Sequence, residues 1–176
     1  MCDTGYTVRD LSADLRELKE RDGSEAAMLR EVPDMVKRLV LMKHNWLRSY
    51  MYDAALQPGA GAFNYLLHEE PDHSLSLHVL TWPPAEETPP HDHGTWAVVA
   101  GLEGREIHRR WKRTGSAMEV ERSGEDKIEA GTIVTLGSDA IHSLLNNSGA
   151  ASVTLQVYGM DVDYTEHRNY TPRRTT

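Results

Sequence analysis

The chain predicts a mainly β fold: a barrel or sandwich of short strands, preceded by two or three α-helices. Three observations predict it. Apolar residues recur at helical spacing as far as residue 42 and then stop doing so. After the loop LQPGAG at 56–61, short apolar-rich segments follow one another, each bounded by turn residues. No repeat, low-complexity tract or second block of helical spacing interrupts them, and 176 residues suit one domain with a real core.

The first helix spans 7–21, where Val8, Leu11, Leu15 and Leu18 form one stripe. The second spans 24–42, with Met28, Leu29, Val32, Val36, Leu39 and Val40 on its apolar face. Ser24 and Glu25 open it, and Pro33 either kinks it or divides it in two. Strands are predicted at 63–68, 74–82, 95–100, 105–113, 117–121, 132–136, 141–145 and 152–158. In 105–113, Ile107, Arg109 and Trp111 share one face, and Glu106, His108, Arg110 and Lys112 share the other. The apolar face is expected to point into the barrel, carrying Arg109 with it. An inward arginine implies an internal carboxylate or bound anion, or else snorkels at the barrel mouth. The predicted organisation is a single domain, 1–176: a helical region to about 50, a barrel over about 62–160, and a polar, loosely held tail at 161–176.

Composition narrows the function. A net charge of -8 argues against a nucleic-acid partner or an anionic membrane surface. No apolar run approaches a membrane span, and the first residues lack the apolar core of a signal peptide. Cys2 is the single cysteine, so no internal disulfide forms, and a cytoplasmic location is expected. Oligomeric state is not legible in the sequence.

Three histidines carry the chemistry. His91 and His93 lie in TPPHDHGTWAVVAGLEG, and His142 lies in AGTIVTLGSDAIHSLLNNSG, where Gly131 and Asn146 complete the motif. Side chains alternate along a strand, so His91 and His93 point the same way and can share one metal ion. His142 would close one face of the coordination sphere and leave positions open for substrate. Imidazole suits zinc, copper, iron or nickel, so the ligands alone do not choose. His44, His68, His73, His78, His108 and His167 are read as ordinary surface or core residues.

From Phe63 to Tyr158 the chain resembles the cupins, and within them the thiol dioxygenases, meaning cysteine dioxygenase and mercaptopropionate dioxygenase. The marks are NYLLHEEP, the His91–His93 and His142 motifs, and a strand ending in Tyr158. The resemblance implies a cupin (double-stranded β-helix) barrel holding one Fe(2+) per chain on His91, His93 and His142. It implies O2 as co-substrate and a small thiol oxidised to a sulfinic acid. The glutamate common in cupins four or five positions after the second histidine is absent, since Ala97 and Val98 stand there, which leaves a neutral three-histidine site. Val98 also stands where cysteine dioxygenase has a cysteine crosslinked to its tyrosine, so no crosslink forms. The family's Ser-x-His-x-Tyr relay becomes Thr154, Gln156 and Tyr158, and Gln156 cannot titrate. Asn64 stands on the strand where the cysteine enzyme carries its carboxylate-binding arginine. Arg109 and Arg168 are the alternative carboxylate anchors, and Trp96 is expected to help exclude water. Two other readings remain: a cupin dioxygenase or hydrolase acting on a non-thiol substrate, and a non-catalytic cupin that binds a small molecule.

Overall fold

The computed structural model describes residues 5–53, 55, 57, 59, 61–115 and 118–173. Cys2, parts of the 56–61 loop, the start of the 117–121 segment and the last three residues lie outside them.

Helix α1 (Val8–Asp22) begins at Thr7, whose hydroxyl accepts from the Asp10 N–H, while the Asp10 carboxylate accepts from the Thr7 N–H. Helix α2 (Glu25–Leu41) is capped by Ser24 and runs unbroken through Pro33. The proline sacrifices one backbone bond, and the buried stripe of Met28, Val32, Val36 and Leu39 holds the helix together across it. Two four-residue helices, α3 (Lys43–Trp46) and α4 (Tyr50–Asp53), follow and are too short for periodicity to reveal.

Among the described residues, nine strands make two sheets: β1 (Phe63–Glu69), β2 (Ser76–Trp82), β3 (Ala97–Glu103), β4 (Arg105–Arg113), β5 (Glu119–Glu129), β6 (Ile133–Leu136), β7 (Ile141–Leu145), β8 (Ser152–Tyr158) and β9 (Thr171–Pro172). One sheet has the order β1-β2-β8-β3-β6, the other β7-β4-β5-β9. The two face each other as a curled barrel, preceded by helices, which is the predicted class. Strand β5 extends well past the predicted 117–121. Its Ser-Gly pair reads as a turn but is a bulge, because Trp111 pairs with Arg122 and Arg110 with Gly124.

Among the described residues, the largest apolar cluster is not inside the barrel. It lies between the first sheet and the helices, where Leu11, Leu15, Val32 and Val36 join Leu77, Val79, Val98, Leu155 and Val157. Each such side chain taken from water contributes about 1.5–3 kcal/mol. Alternation then sends the other face of β8, namely Ser152, Thr154, Gln156 and Tyr158, into the barrel. The barrel interior is therefore rich in polar groups.

That reverses the register expected for β4. Glu106 and His108 point inward, 0% and 1% exposed. Arg109 lies on the opposite face, paired with Glu87. The apolar face of β4 did not mark the interior because the interior is a site rather than a core.

The tail as far as residue 173 is hydrogen-bonded to the barrel. After β8, the Asp161 N–H donates to the His73 carbonyl at 2.9 Å, and a short 3-10 helix follows at Val162–Tyr164. The chain then returns across the barrel mouth. The Asp92 N–H donates to the Arg168 carbonyl at 3.0 Å, the Tyr170 N–H to the Pro90 carbonyl at 2.8 Å, and β9 pairs in parallel with β5. Among the described residues, no helix is long and apolar enough to cross a membrane.

Candidate metal centre

Backbone pairing builds the site. The His91 N–H donates to the His142 carbonyl at 2.8 Å and the His142 N–H to the His91 carbonyl at 2.9 Å. This isolated bridge sets the two side chains opposite each other on one face. His93 follows on the same side by alternation, while Asp92 between them turns the other way. The three rings gather with centroids 4.6–5.1 Å apart, and one ligating nitrogen from each lies within 4.8 Å of the others. His142 Nε2 and His93 Nε2 approach to 3.2 Å.

The donor set suits a cation. His91 hydrogen-bonds the Pro89 carbonyl through Nδ1 at 2.9 Å, which fixes its tautomer and leaves Nε2 free. Burial lowers the pKa of all three rings, and the charge of His91 adds to the effect on His93 and His142; His93 is pushed down to about 3. Neutral imidazoles with free lone pairs are what a divalent metal requires. Among the described residues, no carboxylate joins the cluster.

Asp92, wholly buried, ties the His-Asp-His turn to the C-terminal segment. Its carboxylate accepts from the Arg168 N–H at 2.8 Å, the Arg168 Nε at 3.0 Å and the Tyr170 hydroxyl at 2.6 Å. Burial opposes its ionisation, but these donors outweigh burial and hold its pKa below the ordinary carboxylate range. Gly94 completes the turn at φ +64, and a Cβ there would meet the Glu166 carbonyl at 3.1 Å, so glycine fits both the conformation and the close strap.

Beside the histidines lies a cavity of about 380 Å³. Leu80, Trp82, Leu144 and Val162 supply apolar wall; Tyr158, Gln156 and His108 supply polar wall. The Tyr158 ring stands edge-on to His93 with centroids 5.1 Å apart. Its hydroxyl donates to Gln156 Oε1, and the Gln156 amide donates to Thr154 Oγ1 at 3.3 Å, so the three form one hydrogen-bonded chain. Burial raises the Tyr158 pKa, and the charges of Asp161 and Glu106 raise it further, keeping the phenol protonated.

The remaining sequence-predicted residues lie elsewhere. Asn64 is on edge strand β1, with its Oδ1 2.9 Å from His78 Nδ1. Trp96 packs in the helix-side core against Gly159, where a Cβ would lie 2.2 Å from the indole nitrogen. Arg109 is committed to Glu87 and Arg168 to Asp92, and neither lines the cavity. Val98 also faces the helix side, and Ala97 is the cross-strand neighbour of Tyr158. Several lining residues escaped sequence reasoning: His108, Trp82, Leu144, and Val162, Asp163, His167 and Asn169 of the strap. Parity along β4 was the available signal for His108. The strap residues carried none, since only the return of the chain over the barrel brings them there.

No protein-family model matches the chain. Among solved structures it is similar to an oxalate oxidase bound to the substrate analogue glycolate (TM-score 0.51, 12% identity, covering 69% of this chain and 60% of that one). It is similar to an uncharacterised double-stranded β-helix protein of Klebsiella pneumoniae (TM-score 0.51, 12% identity, covering 71% and 93%). It is also similar to a DMSP lyase of Ruegeria pomeroyi (TM-score 0.50, 18% identity, covering 66% and 55%). The chain thus spans a little over half the length of the oxidase and of the lyase. The fold is the cupin, or double-stranded β-helix, barrel, with a three-histidine cluster able to hold a metal at its centre.

Proposed function

We propose that this protein is a metal-dependent dioxygenase that converts a small organic thiol and O2 into a sulfinic acid, using one Fe(2+) held by His91, His93 and His142. The observation that carries the reading is a convergent set of three neutral imidazoles with no carboxylate among them, opening onto a cavity walled by Tyr158. The fold does not choose the reaction, since it carries an oxidase and a lyase alike. The balance is RSH + O2 → RSO2H: both oxygens go to sulfur and no external reductant is consumed.

A bound divalent iron supplies acidification of the thiol and activation of oxygen. The protein does the rest. His91, His93 and His142 would hold the iron, and the cavity they line would receive the reactants. Tyr158, protonated throughout, presents a hydroxyl that can leave Gln156 to donate to a sulfur or oxygen atom beside His93. Gln156 and Thr154 hold that hydroxyl in place; neither carries a proton away. Leu80, Leu144 and Val162 shield the cavity from water, and residues of the C-terminal strap line the mouth.

The wall also speaks to the substrate. Among the described residues, no lysine or arginine lines the cavity, and Asp163 stands on its wall. A thiol with a neutral or cationic far end suits this wall better than a mercapto-acid, because both expected anchors are already paired. The test is oxygen uptake by the Fe(2+)-loaded protein with cysteamine, 2-mercaptoethanol, 3-mercaptopropionate and cysteine, with the product weighed by mass spectrometry. Uptake with a mass gain of two oxygen atoms supports the reading. Bound iron with no uptake on any thiol refutes it and favours a non-thiol substrate.

A further inference from the structure

Glu106 and His108 are the most deeply buried ionisable pair in the barrel, and the proposed reaction uses neither. Both oxygens of Glu106 are occupied: Oε1 meets His108 Nε2 at 2.7 Å, and Oε2 accepts from the Ser152 hydroxyl at 2.7 Å. A carboxylate accepting on both oxygens places the His108 proton on Nε2. In a neutral ring, Nδ1 is then a bare acceptor. That Nδ1 is buried and has no hydrogen-bond partner among the described residues.

His142 has the complementary need. Its Nε2 points toward His93 and the metal position, so a ligating neutral His142 carries its proton on Nδ1. This Nδ1 is likewise buried and without a partner. The two rings are neighbours, with centroids 5.2 Å apart and planes inclined by 55°. Their proximity follows from register: β4 pairs with β7 so that His108 opposes Leu144 and Arg110 opposes His142, making the two histidines diagonal neighbours on one sheet face. A buried donor without an acceptor thus sits beside a buried acceptor without a donor. Orphans of this kind are rare in native interiors and call for an explanation. Imidazole χ2 torsions are broad rather than locked, so the two neighbouring rings can adjust toward each other.

We infer that Glu106 and His108 form the outer support of the metal centre, with His108 Nδ1 accepting the Nδ1 proton of His142 when His142 binds metal through Nε2. This rests on the metal reading above. The Ser152–Glu106–His108–His142 chain would fix the tautomer and ring angle of the third ligand. It would also bring a carboxylate's negative charge to a centre that has no carboxylate ligand. His108 is a positioning residue here, acting through His142.

The experiment uses zinc as the probe, with affinity measured by competition with a chromogenic chelator. Glu106→Gln, which keeps shape and removes charge, and His108→Phe, which removes the acceptor, should each weaken zinc binding about 10–100-fold. Because either variant can fail to fold, nitrogen-15 NMR of the zinc-loaded native protein provides an independent readout. It should show His142 metal-bound at Nε2 with its proton on Nδ1, and His108 protonated at Nε2 with Nδ1 accepting. A merely structural Glu–His pair would not shift the His142 Nδ1 proton downfield. A His108 proton on Nδ1, or folded variants with native zinc affinity, overturns the inference. Zinc affinity that is also unchanged in His142→Ala overturns the metal reading itself, and this inference with it.

Discussion

Tyr170→Phe tests whether the C-terminal strap is a structural clamp on the His-Asp-His turn. The substitution removes one oxygen atom. That hydroxyl, on a ring 4% exposed, donates to Asp92 at 2.6 Å and accepts from Arg113 at 2.8 Å. A hydrogen bond to a buried charged group is worth about 1.5–3 kcal/mol. Asp92 keeps its two bonds from Arg168, so it is weakened rather than orphaned, and the expected loss is about 1–2 kcal/mol. For a domain of this size that lowers Tm by roughly 2–8 °C. Zinc affinity should fall with it, because Asp92 lies between His91 and His93, the proposed ligands, and loses one of its restraints. Differential scanning fluorimetry and chelator competition measure both. A Tm within about 1–2 °C of native, equivalent to the roughly 0.5 kcal/mol of neutral surface changes, would show that the clamp is slack. Arg168→Ala extends the test: a clamp loses Tm with no selective loss of mercapto-acids. If Tm holds while 3-mercaptopropionate binding collapses relative to cysteamine, Arg168 is a substrate anchor instead.

Three further outcomes follow from the site. Tyr158→Phe should slow turnover by roughly 10–1,000-fold with the fold intact, the scale of losing one positioned polar group, and an unchanged rate returns Tyr158 to a packing role. Zinc at about one hundred times its Kd should stabilise the metal-free protein by about 2.7 kcal/mol, seen as a rise in Tm that EDTA reverses and that His93→Ala abolishes. Acidification should destabilise the protein through His78, which lies between Asp161 at 3.1 Å and Asn64, and whose pKa burial lowers despite Asp161. A base whose pKa is lower in the fold takes its proton first in the unfolded chain. Stability is therefore fully present above the unfolded value near 6.5 and falls as pH drops below it, by up to about 1.4 kcal/mol per pH unit. Urea melts from pH 7.5 to 5 on native protein and His78→Gln measure this, and identical pH slopes refute it.

The sequence by itself determined the two long helices, most of the strands and the three-histidine cluster. Apolar spacing separates the helices from the strands, and alternation along one strand puts His91 and His93 on one side whatever the tertiary context. The Thr154, Gln156 and Tyr158 chain was legible for the same reason, since all three are on one strand face. What the sequence did not determine is which face of each strand is the interior. For β4 the apolar face pointed out and the charged face pointed in, because the protein keeps its oil between sheet and helices and its polar groups inside the barrel. Local pattern reports hydrophobicity, and hydrophobicity marks the interior only when the interior is the core. Tertiary structure alone decided that Arg109 and Arg168 are spent on Glu87 and Asp92, that Glu106 and His108 stand behind His142, and that a polar tail forms a cavity wall. Each of those contacts joins residues far apart in the chain, and only the closing of the barrel brings them within reach of one another.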